Sequence, residues 1–532
     1  MPIFPKYPIG MQSFAEIRRN GMLYVDKTAY VAELVSTAKY IFLGRPRRFG
    51  KSLLVSTLES YFKGRRELFS GLDIERFETE WTEYPVIHLD MSQAGGAESG
   101  DLEKNIDANL QWVAAEYGVD FSAIPGALTT RFGLLIKMLA QRLDRKVVVL
   151  IDEYDVAIHG LDSGTEVFRK NRIVLRELFQ QCKSNDDSIR FCFVTGVARF
   201  NQFSLFSGPN NFKDISMDTR FAAICGFTHE ELYRYFGEGI KELALENAAG
   251  EEEIRDRLSE YYDGYRFTAK DLKVFNPLSV LSAISDRSFE PYWIGTGLTS
   301  VFVRHLMNPG FQLPDITDKW LEPSSLTKIY DPADPVSLMF QTGYLTVADY
   351  DKELGMYRMR VPNREVMRSL TQDLIPAYMG KAPDAQNYRL SELRVALQRG
   401  DIERIRDILE SIIAGIAYHL FPKDGEPMLQ KEHYYHTIVY LIFMMLQSNV
   451  QCEMAGAKGR SDLVAVTGRY VYIFEFKMDS AKDGTPGNAL RQIEEKGYAK
   501  RFRNTGKRIF SIGVVFSSER HDIAGWEVSE SE

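Results

Sequence analysis

Four nearly continuous apolar runs punctuate the N-terminal part of the chain: YIFL at 40–43, PVIHLDM at 85–91, KVVVLID at 146–152 and IRFCFVTG at 189–196. Longer segments of helical spacing separate them. Runs that do not alternate with polar residues fit strands covered on both faces, and the spacers fit the crossovers of a parallel sheet. The pattern changes at Phe227. There THEELYRYFGEGIKELA and EEEIRDRLSEYYDGYRF repeat apolar residues at helical intervals, and Thr228 with Glu231 has the spacing of a capping box. Aromatic turns and short helices follow, with a β-hairpin expected in FQTGYLTVADYDKELGMYRMRVPN, and helical spacing returns at 390–420. A last α/β unit is read as a helix around 429–447, strands near 461–467 and 470–476, a helix around 486–503 and a strand at 509–516. The expected organisation is a parallel-sheet core over 1–226, a helical subdomain over 227–290 and a mixed α/β subdomain over 291–375, for which a winged-helix-like arrangement is one option. A helical connector over 376–425 and a small α/β domain over 426–532 complete it.

Composition narrows the class. At 532 residues the chain has room for about two to four domains, each with its own core. A formal net charge of -8 argues against a surface coated in nucleic acid, so any such site must be a local patch. Cys182, Cys192, Cys225 and Cys452 form no C-x-x-C pair, which points to a reducing compartment. The N-terminal stretch has no apolar core of a signal peptide, and no run of 18 uncharged apolar residues occurs. A cytoplasmic location without a membrane partner is expected.

The loop after the first apolar run reads GRPRRFGKS and leads into LLVSTLESYFKG. Gly50, Lys51 and Ser52 thus sit between a strand and a helix, where exposed backbone N–H groups favour anions. Lys51 is placed to reach terminal phosphates, and Ser52 to ligate Mg²⁺. Such a triplet recurs by chance, and the position of the loop's first glycine holds Arg45. The later VVVLIDEYD supplies the complement: Asp152 ends an apolar strand on the metal side, and Glu153 follows, suited to polarising water. Thr195, in FVTG, is placed to sense a γ-phosphate.

Together with YVDKTAYVAEL at 24–34, FVTGVARFNQFSLFSGPNN at 193–211 and ICGFTHEEL at 224–232, these motifs resemble the bacterial AAA-ATPase-like proteins over roughly residues 5–370. The resemblance implies a P-loop NTPase sheet that binds ATP through Arg45, Pro46, Arg47, Arg48, Phe49, Gly50, Lys51, Ser52 and Leu53. It makes Arg45 the family's variant and puts Tyr24 to Thr28 beside the nucleotide. Arg199 becomes a candidate for reading phosphate charge, with a surface salt bridge as its other reading.

A second constellation lies in GRSDLVAVTGRYVYIFEFKMD. Asp462 opens one strand and Glu475 and Lys477 close the next, on one face by alternation. Two carboxylates and a lysine suit Mg²⁺-dependent phosphodiester hydrolysis, the acids holding metal and the lysine meeting charge at phosphate. Glu432 and Gln492 sit on flanking helical segments. The order Glu432, Asp462, Glu475, Lys477, Gln492 resembles the PD-(D/E)XK nuclease superfamily over about 427–518. Lys496, Lys500, Arg501, Arg503, Lys507 and Arg508, with no acid between them, form a basic run suited to phosphates, in which Tyr498 and Phe502 stack on bases or simply pack. His433 and His436 read as packing or surface residues.

The resemblances imply an α/β chain: a P-loop sheet with helical and mixed subdomains, then a small nuclease domain. ATP hydrolysis coupled to Mg²⁺-dependent cleavage of nucleic acid, DNA ahead of RNA, is the expectation, with homo-oligomerisation left open. A slow nucleotide-gated switch controlling a defence nuclease and a non-catalytic scaffold are the alternatives. The clustered charges of Glu153, Asp462, Glu475 and Lys477 weigh against the scaffold.

Overall fold

The computed structural model describes residues 6–92, 101–158, 164–197, 212–293, 320–326, 336–379, 387–416, 428–446, 451–453, 462–503 and 505–531. They divide into two compact units. Residues up to 293, with 321–326 and 336–357, form the first, and residues from 358 on belong to the second.

All four expected strands form in the first unit: β1 (Tyr40–Gly44), β2 (Val86–Asp90), β3 (Val147–Asp152) and β4 (Ile189–Gly196), joined by a two-residue β5 (Lys213–Asp214). The parallel order is β2-β3-β4-β1-β5, so β4 lies between the strand feeding the basic loop and the strand ending in Asp152. Every residue of β3 is buried, which is why its sequence shows no alternation. One face packs Val149, Ile151 and Tyr40 against Phe132, Ile136, Leu175 and Phe179 from helices Leu128–Leu143 and Glu166–Ser184.

Helices His229–Glu246, Glu251–Tyr262 and Pro277–Asp286 enclose a separate core around Leu232, Phe236, Leu258, Tyr262 and Val280. The capping box is present, with the Thr228 hydroxyl accepting from Glu231 N and the Glu231 carboxylate from Thr228 N. The expected hairpin pairs β6 (Thr346–Asp351) with β7 (Met356–Arg360).

In the second unit the helical segment near 390–420 is broken at Gly400 into Asn387–Arg399 and Ile402–Ile413. Beyond it lie helix Met428–Met445 and a sheet of β8 (Gln451–Glu453), β9 (Leu463–Val466), β10 (Tyr470–Met478), β11 (Arg508–Phe516) and β12 (Ile523–Ser531), in the order β12-β11-β10-β9-β8. Only β10 and β11 are parallel. Helix Pro486–Lys496 makes that crossover and stops at Gly497, whose φ of 66° is left-handed, so the expected helix to 503 ends early in a 3₁₀ turn over Tyr498–Phe502. Strand β12 escaped the sequence reading because its residues are half-buried or exposed and lack a sustained apolar signal.

Candidate functional sites

The phosphate-loop candidate starts where β1 ends. Gly50, at φ 87°, turns the chain into helix Lys51–Phe62, whose first residues present their N–H groups. Lys51 is buried, and its ammonium donates to the Pro46 carbonyl at 3.0 Å, so it lies across its own loop. The Ser52 side chain lies close enough to the Asp152 carboxylate to draw its pKa down. Asp152 is 3% exposed, and burial pushes its pKa up against the opposing pull of Ser52 and Lys51. Its Oδ1 is buried without a hydrogen-bond partner. On β4, adjacent to both β1 and β3, Thr195 is fully buried and its Oγ1 also lacks a partner. Glu153 adopts a left-handed conformation at φ 50° and is half-buried; burial raises its pKa, opposed by Lys51 and Arg47.

Arg45 behaves differently from a phosphate-facing cation. It is 1% exposed, donates from Nη1 to the carbonyls of Gly44 (2.9 Å) and Ser216 (2.7 Å) and from Nη2 to that of Phe221 (3.1 Å), and stacks 4.4 Å from the Phe267 ring centroid. Burial pushes its pKa down to about 10. The Arg45 guanidinium is therefore occupied by protein carbonyls. Phe49 likewise packs edge-on against Tyr265 and Phe267. In the Tyr24 to Thr28 segment, Asp26 accepts from Thr28 and from Asp73 N, while Lys27 pairs with Glu231 at 2.6 Å. Those polar groups brace neighbouring elements. Arg199 lies outside the described residues.

The second cluster is assembled by β9, β10 and two helices. The antiparallel register sets Leu463 opposite Phe474, which brings Asp462 to the Glu475 end of β10. Asp462 Oδ2 accepts from Phe476 N at 2.7 Å. Glu475 is 2% exposed; Gln492 donates to its Oε1, and its Oε2 is buried without a partner. Burial, reinforced by the Asp462 charge and opposed by Lys477, pushes the Glu475 pKa up to about 9. Lys477 donates to Gln492 Oε1 at 2.8 Å and pairs with Asp483 at 3.0 Å. Burial works against that ammonium, but Asp483 and Glu475 raise its pKa overall. Glu432, half-buried on helix Met428–Met445, has its pKa raised by burial and by Asp462.

The five expected residues thus meet in one neighbourhood, and two further ones join them. His436, read as a packing or surface residue, packs its ring 5.2 Å from that of Phe476 and places Nε2 3.7 Å from Asp462 Oδ2 and 3.9 Å from Glu432 Oε1. Glu432 and His436, four residues apart, share one helix face, a spacing visible in sequence. The side chain of His433 lies outside the described residues. Asp483 is the other addition. Among the described residues no three His, Cys, Asp or Glu side chains converge as a ready metal cage. Mg²⁺ does not require one, since it retains several waters and takes one or two carboxylates.

The basic run separates into two parts. Lys507 donates to the Thr467 carbonyl at 2.6 Å and Arg508 pairs with Glu530, while Tyr498 and Phe502 pack with Val464, Ile473 and Ile509. Lys496, Lys500, Arg501 and Arg503 are exposed. Among the described residues no helix is long and apolar enough to cross a membrane.

A family model described as a predicted AAA-ATPase matches residues 8–206, and one described as the PD-(D/E)XK nuclease superfamily matches 430–526. A protein of Azotobacter chroococcum mcd 1, described as "Uncharacterized protein in vnfD 5'region", is 33% identical over 534 residues, covering 98% of each chain. Among solved structures, C. elegans PCH-2 aligns at 16% identity over 44% of this chain and 51% of that one, with a TM-score of 0.22.

Proposed function

Because the chain belongs to the AAA-ATPase-like family and carries a C-terminal domain of the PD-(D/E)XK nuclease superfamily, we propose that it binds and hydrolyses ATP and uses nucleotide state to control Mg²⁺-dependent cleavage of nucleic acid, with DNA as the first substrate to test. The observation that carries this reading is a set of buried acceptors without partners: Asp152 Oδ1 and Thr195 Oγ1 in the first cluster and Glu475 Oε2 in the second. An unsatisfied buried carboxylate oxygen is costly unless a cation or a donor meets it on binding. The donor sets fit. Ser52 with Asp152, and Asp462 with Glu475, are hard oxygen ligands of the kind Mg²⁺ takes.

At the first site the helix N-terminus and Lys51 bind phosphate charge, Lys51 exchanging its bond to Pro46 for the nucleotide. Glu153 orients the attacking water, and Thr195, between the two, hydrogen-bonds the γ-phosphate. At the second site bound Mg²⁺ supplies polarisation of the phosphodiester and a more acidic water. Gln492 holds Glu475 and Lys477 in register with each other. Lys477 meets the charge developing at the scissile phosphate, while His436 packs beside Asp462 and Glu432. Lys496, Lys500, Arg501 and Arg503 attract the backbone.

The test is a panel of single- and double-stranded DNA and RNA incubated with purified protein and Mg²⁺. Lys51→Ala is expected to abolish ATP binding and Glu153→Gln to leave binding while removing hydrolysis. Asp462→Ala and Glu475→Ala are expected to lose cleavage yet remain folded. Cleavage surviving in Glu475→Ala would sink the nuclease assignment, and unchanged ATP affinity in Lys51→Ala would sink the nucleotide site.

A further inference from the structure

The loop between β1 and its helix carries three arginines, and the structure treats them unlike one another. Arg45 is buried against carbonyls and the Phe267 ring. Arg48 sits in a left-handed conformation at φ 67° and donates to the Tyr292 carbonyl at 2.6 Å. Pro46 fixes the turn between them and packs against Gly343, where an added Cβ would lie 2.8 Å from the Pro46 ring. The loop is therefore anchored on both sides of Arg47. Among the described residues, Arg47 is half-buried and makes no hydrogen bond or ion pair, and neither does the Glu153 carboxylate. These two groups nevertheless feel each other: Arg47 and Lys51 are the cations whose fields act on Glu153. An unbonded guanidinium thus stands in the same anchored loop as the phosphate-binding lysine, four residues before it, and within electrostatic reach of the water-orienting acid.

We propose that Arg47 is a catalytic residue of ATP hydrolysis, an arginine supplied in cis by the phosphate loop that binds the γ-phosphate oxygens as the phosphoryl group transfers. This rests on the nucleotide reading of the first site. In the step, the water oxygen bonds to the γ-phosphorus as the bond from phosphorus to the β,γ-bridging oxygen breaks. The bridging electrons leave with ADP, and the water proton passes through Glu153 or a phosphate oxygen to solvent, giving ADP, phosphate and H⁺. Arg47 transfers no proton. Its planar fork matches the negative oxygens of the transferring group, and its charge is uncommitted beforehand, so its contact strengthens as charge moves. Rigid anchoring at Arg45 and Arg48 keeps the loop backbone in place while the Arg47 side chain engages.

The experiment uses the full chain. Arg47→Ala is expected to lower kcat by about 10³-fold or more, the range for an arginine supplied to a transferring phosphate, while ADP affinity stays close to wild type. The variant should also lose tight binding of ADP with aluminium fluoride, a mimic of the transferring phosphoryl group, which reads the contact without turnover. Arg47→Lys should recover only part of both, because an ammonium lacks the fork. The wild-type rate per chain should not fall on dilution, since the arginine is not borrowed from a neighbour. Thermal melting of both variants separates loss of the residue from loss of the fold, and the lysine variant carries the test if the alanine variant does not fold. Wild-type turnover and aluminium fluoride affinity in Arg47→Ala would overturn the proposal, as would equal losses of ADP and ATP affinity, which would make Arg47 a ground-state contact. A wild-type protein that binds no ATP would remove the nucleotide reading beneath it, a result distinguishable from these.

Discussion

Glu475 shows at the scale of one residue how burial and function oppose each other. Its folded pKa is raised to about 9, so the metal-free protein holds a proton there that the unfolded chain releases near the ordinary carboxylate range. The sign follows: the stability this group contributes is fully present below that ordinary range and is lost as pH rises through about 9. Glu475→Gln removes this dependence. In chelator the variant should melt progressively higher relative to wild type as pH rises, and Mg²⁺ should narrow the gap by stabilising only the charged wild-type carboxylate. Melting temperatures measured against pH in both buffers check this; parallel curves for the two proteins would show that Glu475 does not carry the buried proton. Residues of this kind were partly legible in sequence. Asp152 ends a strong apolar run, and Lys51 and Ser52 lie where the loop after another run enters a helix, so their placement needed only local pattern. Arg45 was not, because its burial depends on carbonyls at Ser216 and Phe221, distant in sequence. The place of His436 beside Asp462 was not legible for the same reason, since Asp462 lies on another element.

At the scale of elements, Gly400 decides how the helical segment meets the sheet. Its φ of 76° is left-handed, and a Cβ there would lie 2.7 Å from the Tyr470 ring. Next to it Tyr472 donates its hydroxyl to the Leu397 carbonyl at 2.6 Å, capping the end of helix Asn387–Arg399 from strand β10. The supposed connector is thereby packed on the same strand that carries Glu475 and Lys477. Gly400→Ala combines backbone strain with overpacking and should destabilise the second unit by about 2 to 4 kcal/mol. Denaturant unfolding followed by near-UV signal would report it, with ATP binding as an independent readout of the first unit. An unshifted transition would mean the helix break tolerates a side chain, contrary to this packing. Sequence periodicity revealed both helices but joined them, since a single glycine in a helical pattern is ordinarily tolerated. Strand β12 escaped for the opposite reason: being half-exposed, it has no core-facing signal to read.

For the whole molecule the question is whether one unit's nucleotide state reaches the other's chemistry. The two motif sets were legible as separate sites because each is local, whereas communication between them leaves no pattern in a single sequence. Proposed control of cleavage by nucleotide has a strict energetic limit: ATP can shift access to the second site only by its ratio of affinities for the competent and incompetent states. A tenfold change in cleavage needs about 1.4 kcal/mol of differential binding. Linkage then demands reciprocity, so nucleic acid must change nucleotide affinity by the same factor that nucleotide changes nucleic-acid affinity. Asp462→Ala, expected to bind without cutting, allows both to be measured at equilibrium. A non-hydrolysable ATP analogue and ADP should shift its nucleic-acid affinity by different factors, each mirrored in the reverse titration, and wild-type cleavage rates should rank in the same order. The Lys51→Ala variant should lose the shift but keep basal affinity. Equal cleavage with no nucleotide, ADP and the analogue, together with unshifted affinities, would establish that the two sites act independently within one chain.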